Sequence, residues 1–145
     1  MNNCEKTAKL LKLASENPEL PIIFEVDNEV VPNDEYGWYL GSMSSCRVDE
    51  YAILNEMVID DREEFKERYY DYNCDELCEK FEYEPYICES TVKSGKYTQE
   101  EYERNRKNEE KLDAYLEEVA ERAFQKAIIL YIGLPDNENF DEEIL

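Results

Sequence analysis

Histidine is absent from this 145-residue chain, and with it the usual general base of Ser/His and Cys/His catalysis. Glycine is scarce: there are four, and none builds a phosphate-cradling loop. No stretch approaches the roughly eighteen consecutive apolar residues of a membrane-spanning helix. The opening Met1-Asn2-Asn3-Cys4-Glu5 shows neither the basic start nor the apolar run of a signal peptide. The cysteines number five, an odd set with irregular spacing, which does not read as a disulfide framework. Cys74 and Cys78 stand one helical turn apart, but zinc needs two further ligands and finds no histidine. These absences point to a cytoplasmic, non-enzymatic chain with free thiols and without cofactor or structural metal.

Positive charge is the other scarcity. Sixteen basic residues face 37 acidic ones, for a net charge of −21. The excess is spread out rather than gathered in a tail. Residues 1–59 carry 11 acids and 4 bases, residues 60–89 carry 12 and 4, residues 100–121 carry 9 and 4, and residues 136–143 carry 5 and none. Such a surface repels nucleic acid and anionic membranes and attracts basic protein surfaces. With 42% apolar residues the chain still has enough material for a core.

Local patterns predict an α+β fold in the order α-β-β-β-α-α-β. Residues 4–17 place Leu10, Leu11, Leu13 and Ala14 on an apolar stripe with Lys6, Lys9 and Lys12 opposite, and Asn17-Pro18 ends that helix. Residues 20–26 form a short apolar strand, and residues 30–34 run into a turn. Residues 36–43 and 48–59 suggest the two strands of a hairpin. Residues 60–81 are helical, with a phase shift near Asp71-Tyr72-Asn73. Residues 86–97 suggest a strand with a turn at Ser94-Gly95. Thr98-Gln99-Glu100-Glu101 is a capping box, opening a helix to about Phe124. Its stretch from Glu103 to Lys111 is polar all round, so that half should project into water. Ala127 to Leu134 is apolar on both faces and reads as a central strand. The expectation is a mainly antiparallel sheet of about four strands with helices on one face, the last strand joining the first in the middle. Residues 1–135 then make one acidic domain and 136–145 an acidic tail.

Two features invite chemistry. Asp71-x-Asn73-x-Asp75 with Glu82 falls on positions 1, 3, 5 and 12 of an EF-hand loop, but Glu76 replaces the glycine of the sharp turn and Pro85 breaks the exit helix. In so acidic a chain a capped helix start explains the same residues. Twelve tyrosines suit either core packing or a protein interface. Tyr69, Tyr70 and Tyr72 cannot all face one core, so at least one should be exposed.

The segments Leu10-Leu11, Glu16-Asn17-Pro18-Glu19-Leu20-Pro21-Ile22, Val30-Val31, Trp38-Tyr39-Leu40-Gly41, Asp49-Glu50-Tyr51 and Lys126-Ala127-Ile128-Ile129-Leu130-Tyr131-Ile132 resemble a group of small, uncharacterised acidic proteins of phages and prophages of Gram-positive bacteria. The resemblance leaves residues 60–115 uncovered and carries over no catalytic residue. It implies a mobile-element origin and little else. Small acidic proteins of that origin often bind host proteins, so the first expectation is an anti-CRISPR-like role in the host cytoplasm, in which an acidic, nucleic-acid-mimicking surface binds a host defence protein such as a CRISPR nuclease. An acidic adaptor of phage replication or regulation is the alternative, and a carboxylate-site metalloenzyme the third reading. The expected partner is a host protein with a basic surface, with no direct nucleic acid and no membrane. The expected contact residues lie in the two acidic segments 60–84 and 100–118. They are Asp61, Glu64, Glu67, Tyr69, Tyr70, Asp71, Asp75 and Glu79 in the first, and Glu100, Glu103, Glu109 and Glu110 in the second.

Overall fold

The structure, a computed structural model, describes residues 1–31 and 37–135. The turn expected at 30–34, the start of the strand expected at 36–43 and the acidic tail 136–145 lie wholly or partly outside the described residues. The fold is α+β, in the order α1 (Asn3–Glu16), β1 (Ile22–Val26), β2 (Ser42–Leu54), β3 (Met57–Ile59), α2 (Arg62–Phe81), α3 (Glu89–Lys93), α4 (Gln99–Ala123) and β4 (Gln125–Gly133). The four strands run β1-β4-β2-β3, with β1 parallel to β4 and β2 antiparallel to β3. Two compact units make up the chain. One holds Met1–Glu50 with the segment from Lys126 on, and the other is Tyr51–Gln125.

In the first unit, Asn2 caps α1 and Glu5 returns the bond to the Asn2 amide, so both orphan donors are satisfied. Leu10, Leu13 and Ala14 of α1, together with Ile132 of β4, pack against the buried cluster of Ile128 and Leu130 of β4 and Cys46 of β2. Strand β4 has the inner place its two apolar faces predict, with Ala127 to Leu130 buried. Strand β1 joins β4 but lies at the edge rather than in the middle. Gly41 is required by a close approach: a Cβ there would stand 2.4 Å from Ile132 Cγ2.

In the second unit, the end of β2 and β3 form a hairpin. The hairpin expected between 36–43 and 48–59 is thereby corrected. The strand at 48–59 is itself folded back at Asn55 and Glu56, both with positive φ (48° and 68°), and the long strand begins at Ser42. Two consecutive left-handed residues are what a tight two-residue hairpin turn demands, and Asn-Glu is a weaker signal for it than Asn-Gly. Ala52 and Ile59 close over Phe65 of α2 and over Ala120 with Phe124, which follows α4, in one core cluster. Helix α2 kinks at Asn73 (φ −123°, ψ 20°), where the phase shift predicts it. The Asn73 side chain donates to the Tyr69 carbonyl at 2.9 Å.

The strand expected at 86–97 is also corrected: the segment holds the short helix α3. Thr91 explains why. Its hydroxyl accepts from the Cys88 amide at 2.9 Å, a local alternative to any sheet ladder that outweighs the β-propensity of Thr91-Val92. The turn at Ser94-Gly95 is present, with Gly95 at φ 81°.

A candidate partner-binding surface on two acidic helices

Helices α2 and α4 pack antiparallel. Arg62 bonds Glu121 at 2.6 Å at one end of the pair, and at the other the Asn108 side chain donates to the Glu82 carbonyl at 3.0 Å. Between these ends Leu77, Leu112 and Leu116 form a buried seam with Tyr69, Tyr70, Phe81, Tyr83 and Tyr115 against it. The capping box at Thr98 forms in both directions, at 3.1 Å each way.

The polar first half of α4 exposes most of its side chains to water, as expected, but one face of it is docked. Asn105 is buried, and its amide grips residue 84: Oδ1 accepts from the Glu84 amide at 2.8 Å and Nδ2 donates to the Glu84 carbonyl at 2.9 Å. The periodicity of apolar residues does not reveal this contact, because the side chain that docks the helix is itself polar.

A cleft of about 610 Å3 opens along the helix pair. Leu112 and Leu116 line it together with Tyr70 and Tyr83. Glu109, Asp113 and Glu117 stand along its α4 side at intervals of four, and Glu63 and Glu67 along its α2 side. The basic group of the cleft is Lys66, whose ammonium pairs with Glu63 at 2.6 Å and with Glu117. Those two carboxylates raise the Lys66 pKa, the hydrogen bond that Lys66 donates to Glu117 first, so it stays charged and engaged. Among the described residues Glu67, Glu109 and Asp113 form no ion pair, the ammonium of Lys66 being taken by Glu63 and Glu117. A second cleft of about 600 Å3 shares Tyr83, Pro85 and Glu109 with the first, but Lys93 and Arg106 make it electrically mixed.

The expected contact residues divide among three faces. Glu67, Tyr70 and Glu109 line the acidic cleft. Glu64, Asp71, Asp75 and Glu79 recur at intervals of seven, four and four along α2 and lie outside the cleft lining, Glu64 half-buried and the other three exposed. Asp61 caps the start of that helix, accepting from the Glu63 amide at 2.9 Å. Glu100, Glu103 and Glu110 share the side of α4 opposite Leu112. Glu64 is engaged by Arg68 at 2.9 Å.

The tyrosines separate as the sequence requires. Tyr69 stacks on Phe65 with centroids 5.9 Å apart and belongs to the core. The Tyr70 hydroxyl lies 3.5 Å from Cys78 Sγ; that bond and burial push its pKa well above the usual tyrosine value. Tyr72 is 52% exposed. Sequence reasoning passed over Glu63, Tyr83, Asp113 and Glu117. The spacing of Glu109, Asp113 and Glu117 was readable, but which side of α4 faces the cleft was not.

No family model, curated protein or solved structure matches this chain.

The near-EF-hand residues 71–81 lie within α2, so they form no twelve-residue loop. Among the described residues no group of three or more Cys, Asp or Glu side chains is placed to hold a metal ion. No helix among them is long and apolar enough to cross a membrane. All five cysteines are unpaired, with Cys46 buried and Cys4 and Cys88 exposed. Cys88 Sγ lies 3.0 Å from the Ser90 hydroxyl. Hydrogen bonds from Ser90 and then Thr91 lower the Cys88 pKa to about 7.

Proposed function

We propose that this chain is a non-enzymatic, phage-type inhibitor that binds a host nucleic-acid-binding defence protein through its acidic helices, with CRISPR nucleases the first class to test. The observation that carries this reading is the acidic cleft. Glu67, Glu109 and Asp113 line it beside Tyr70 and Tyr83 and form no ion pair, while Lys66 in the same lining is held by Glu63 and Glu117. Carboxylates four residues apart on a helix recur about every 6 Å, a row of fixed negative charge. Such a row can occupy a basic nucleic-acid channel, while the rings and the leucines behind them add apolar area. The outward carboxylates of α2 and α4 supply steering at longer range.

The experiment is capture from a Gram-positive host lysate with the tagged chain, followed by nuclease assays on the captured protein. The expected result is a basic, nucleic-acid-binding defence protein whose cleavage is inhibited and whose release is promoted by salt. A Glu67→Lys, Glu109→Lys, Asp113→Lys variant should lose that capture. Recovery of a replication or regulatory protein without inhibition would favour the adaptor reading instead. Capture unchanged by both this variant and reversal of the outward carboxylates would end the acidic-surface mechanism.

A further inference from the structure

The edge strand β1 carries a feature that the helical surface does not explain. In a parallel pair, partnered residues share a face of the sheet. Ile22, Phe24 and Val26 partner Ile128, Leu130 and Ile132, and so continue the apolar rows that α1 covers. They run out from beneath it: Ile22 is 44% exposed, Phe24 62% and Val26 54%. The same residues hold the free polar edge. The Ile128 amide donates to the Pro21 carbonyl and the Asp27 amide to the Ile132 carbonyl, at 2.9 Å each. This phase turns the backbone groups of odd-numbered residues toward β4, and those of Ile22, Phe24 and Val26 outward. Among the described residues no strand pairs with that side.

Natural edges are blunted by lysine, proline, a bulge or a covering element. Between Ile22 and Val26 there is neither lysine nor proline. Along the sequence, the charge that flanks the strand is of one sign. From Leu13 to Cys46 the sequence has no basic residue, and Glu19, Asp27 and Glu29 beside the strand are exposed. We infer that β1 is a docking edge for an extended segment of another protein, apolar at alternate residues and flanked by Lys or Arg, which adds to the sheet as a fifth strand. The outward amides and carbonyls require an extended backbone, the exposed row requires alternate apolar side chains, and the acids require cationic flanks. A second copy of this chain meets the first two requirements and fails the third, since it brings the same acids and a charge of −21.

The test uses the full chain and two synthetic peptides. One is Lys-Lys-Val-Thr-Val-Thr-Val-Lys-Lys, and the other replaces each lysine with glutamate. Amide hydrogen exchange followed by NMR is read at residues 22 to 26. The cationic peptide should slow exchange at Phe24 and Val26 by about tenfold or more at saturation. The anionic peptide should leave both unchanged. Phe24→Lys, a change at an exposed site, should weaken binding at least about tenfold, with far-UV circular dichroism unaltered. Phe24→Thr, which keeps β-propensity and removes the apolar contact, serves as the second variant. Protection by neither peptide, or by both equally, overturns the proposal. Protection already present in the free chain also overturns it. Loss of that protection on dilution would assign the edge to a second copy, and loss on ending the chain at residue 135 to its own C-terminal segment. None of these outcomes depends on the helical carboxylates, so failure here leaves the acidic-surface reading standing.

Discussion

The helix pair α2–α4 and the edge strand β1 belong to the same acidic chain and treat their apolar residues in opposite ways. On α4, Leu112 and Leu116 are buried while Glu110, Asp113 and Glu117 are exposed one or two positions away. A period of 3.6 lets one element bury a stripe and still present charge over the rest of its circumference. On β1, Ile22, Phe24 and Val26 share a face that α1 covers only over the neighbouring strand, so the outer row stays open. Strand geometry offers two faces and no circumference. Negative charge is thus a surface property that the helices carry at no cost to packing, whereas the exposed row on β1 is an unmet packing demand.

The sharpest break of this comparison is across the β1–β4 pairing. Leu130→Ala should cost about 3 kcal/mol in urea unfolding, as for other buried large-to-small changes. Its partner Phe24→Ala should cost less than about 1 kcal/mol, because Phe24 is 62% exposed. Equal costs would mean that β1 is covered.

On the helix pair, Asn105→Ala should cost about 2 kcal/mol, since it removes both bonds to residue 84 and leaves a buried gap. Asn105→Leu should not restore the loss. If it did, simple burial rather than the amide clamp would dock the first half of α4.

Relief of the backbone at the hairpin is smaller and of opposite sign. Glu56 holds φ 68°, where an L side chain is disfavoured and glycine is not. Glu56→Gly should raise stability by about 0.5–1 kcal/mol, read as an upward shift of Tm.

Cys88 offers a pH-dependent reading with little effect on stability. Hydrogen bonds from Ser90 and Thr91 favour the thiolate, so the folded pKa is lowered to about 7. Thiolate, and with it alkylation by iodoacetamide, should rise with pH through a midpoint near that value. Ser90→Ala removes the leading cause and should move the midpoint upward. A midpoint that does not move would assign the shift to other groups.

Much of this was legible in the residues. The capping box at Thr98, the phase shift at Asn73, the stop at Asn17-Pro18 and the doubly apolar β4 are local or strictly periodic signals, and local chemistry decides them. The segments that misread are those where short-range competition or distant pairing decides. Asn55-Glu56 folds the hairpin without a glycine to announce it. Thr91 captures its own segment into α3 by a side-chain bond to Cys88. The candidate contact residues were legible as acids but not as faces. Their spacing assigns each to a side of its helix, and only packing shows that Glu67, Tyr70 and Glu109 meet in one cleft while Tyr69 turns into the core.

The sequence by itself determined the charge, the element types over most of the chain and the acidic character of any surface those elements present. These follow from composition and from periods of 3.6 and 2, which are properties of neighbouring residues. The tertiary structure decided which carboxylates converge, that Asn105 docks the polar half of α4, and that β1 is an edge rather than a centre. Those outcomes depend on contacts between residues far apart in the chain, such as Asn105 with Glu84 and Phe24 with Leu130. No local pattern encodes which of several equally polar or equally apolar partners such a residue will meet.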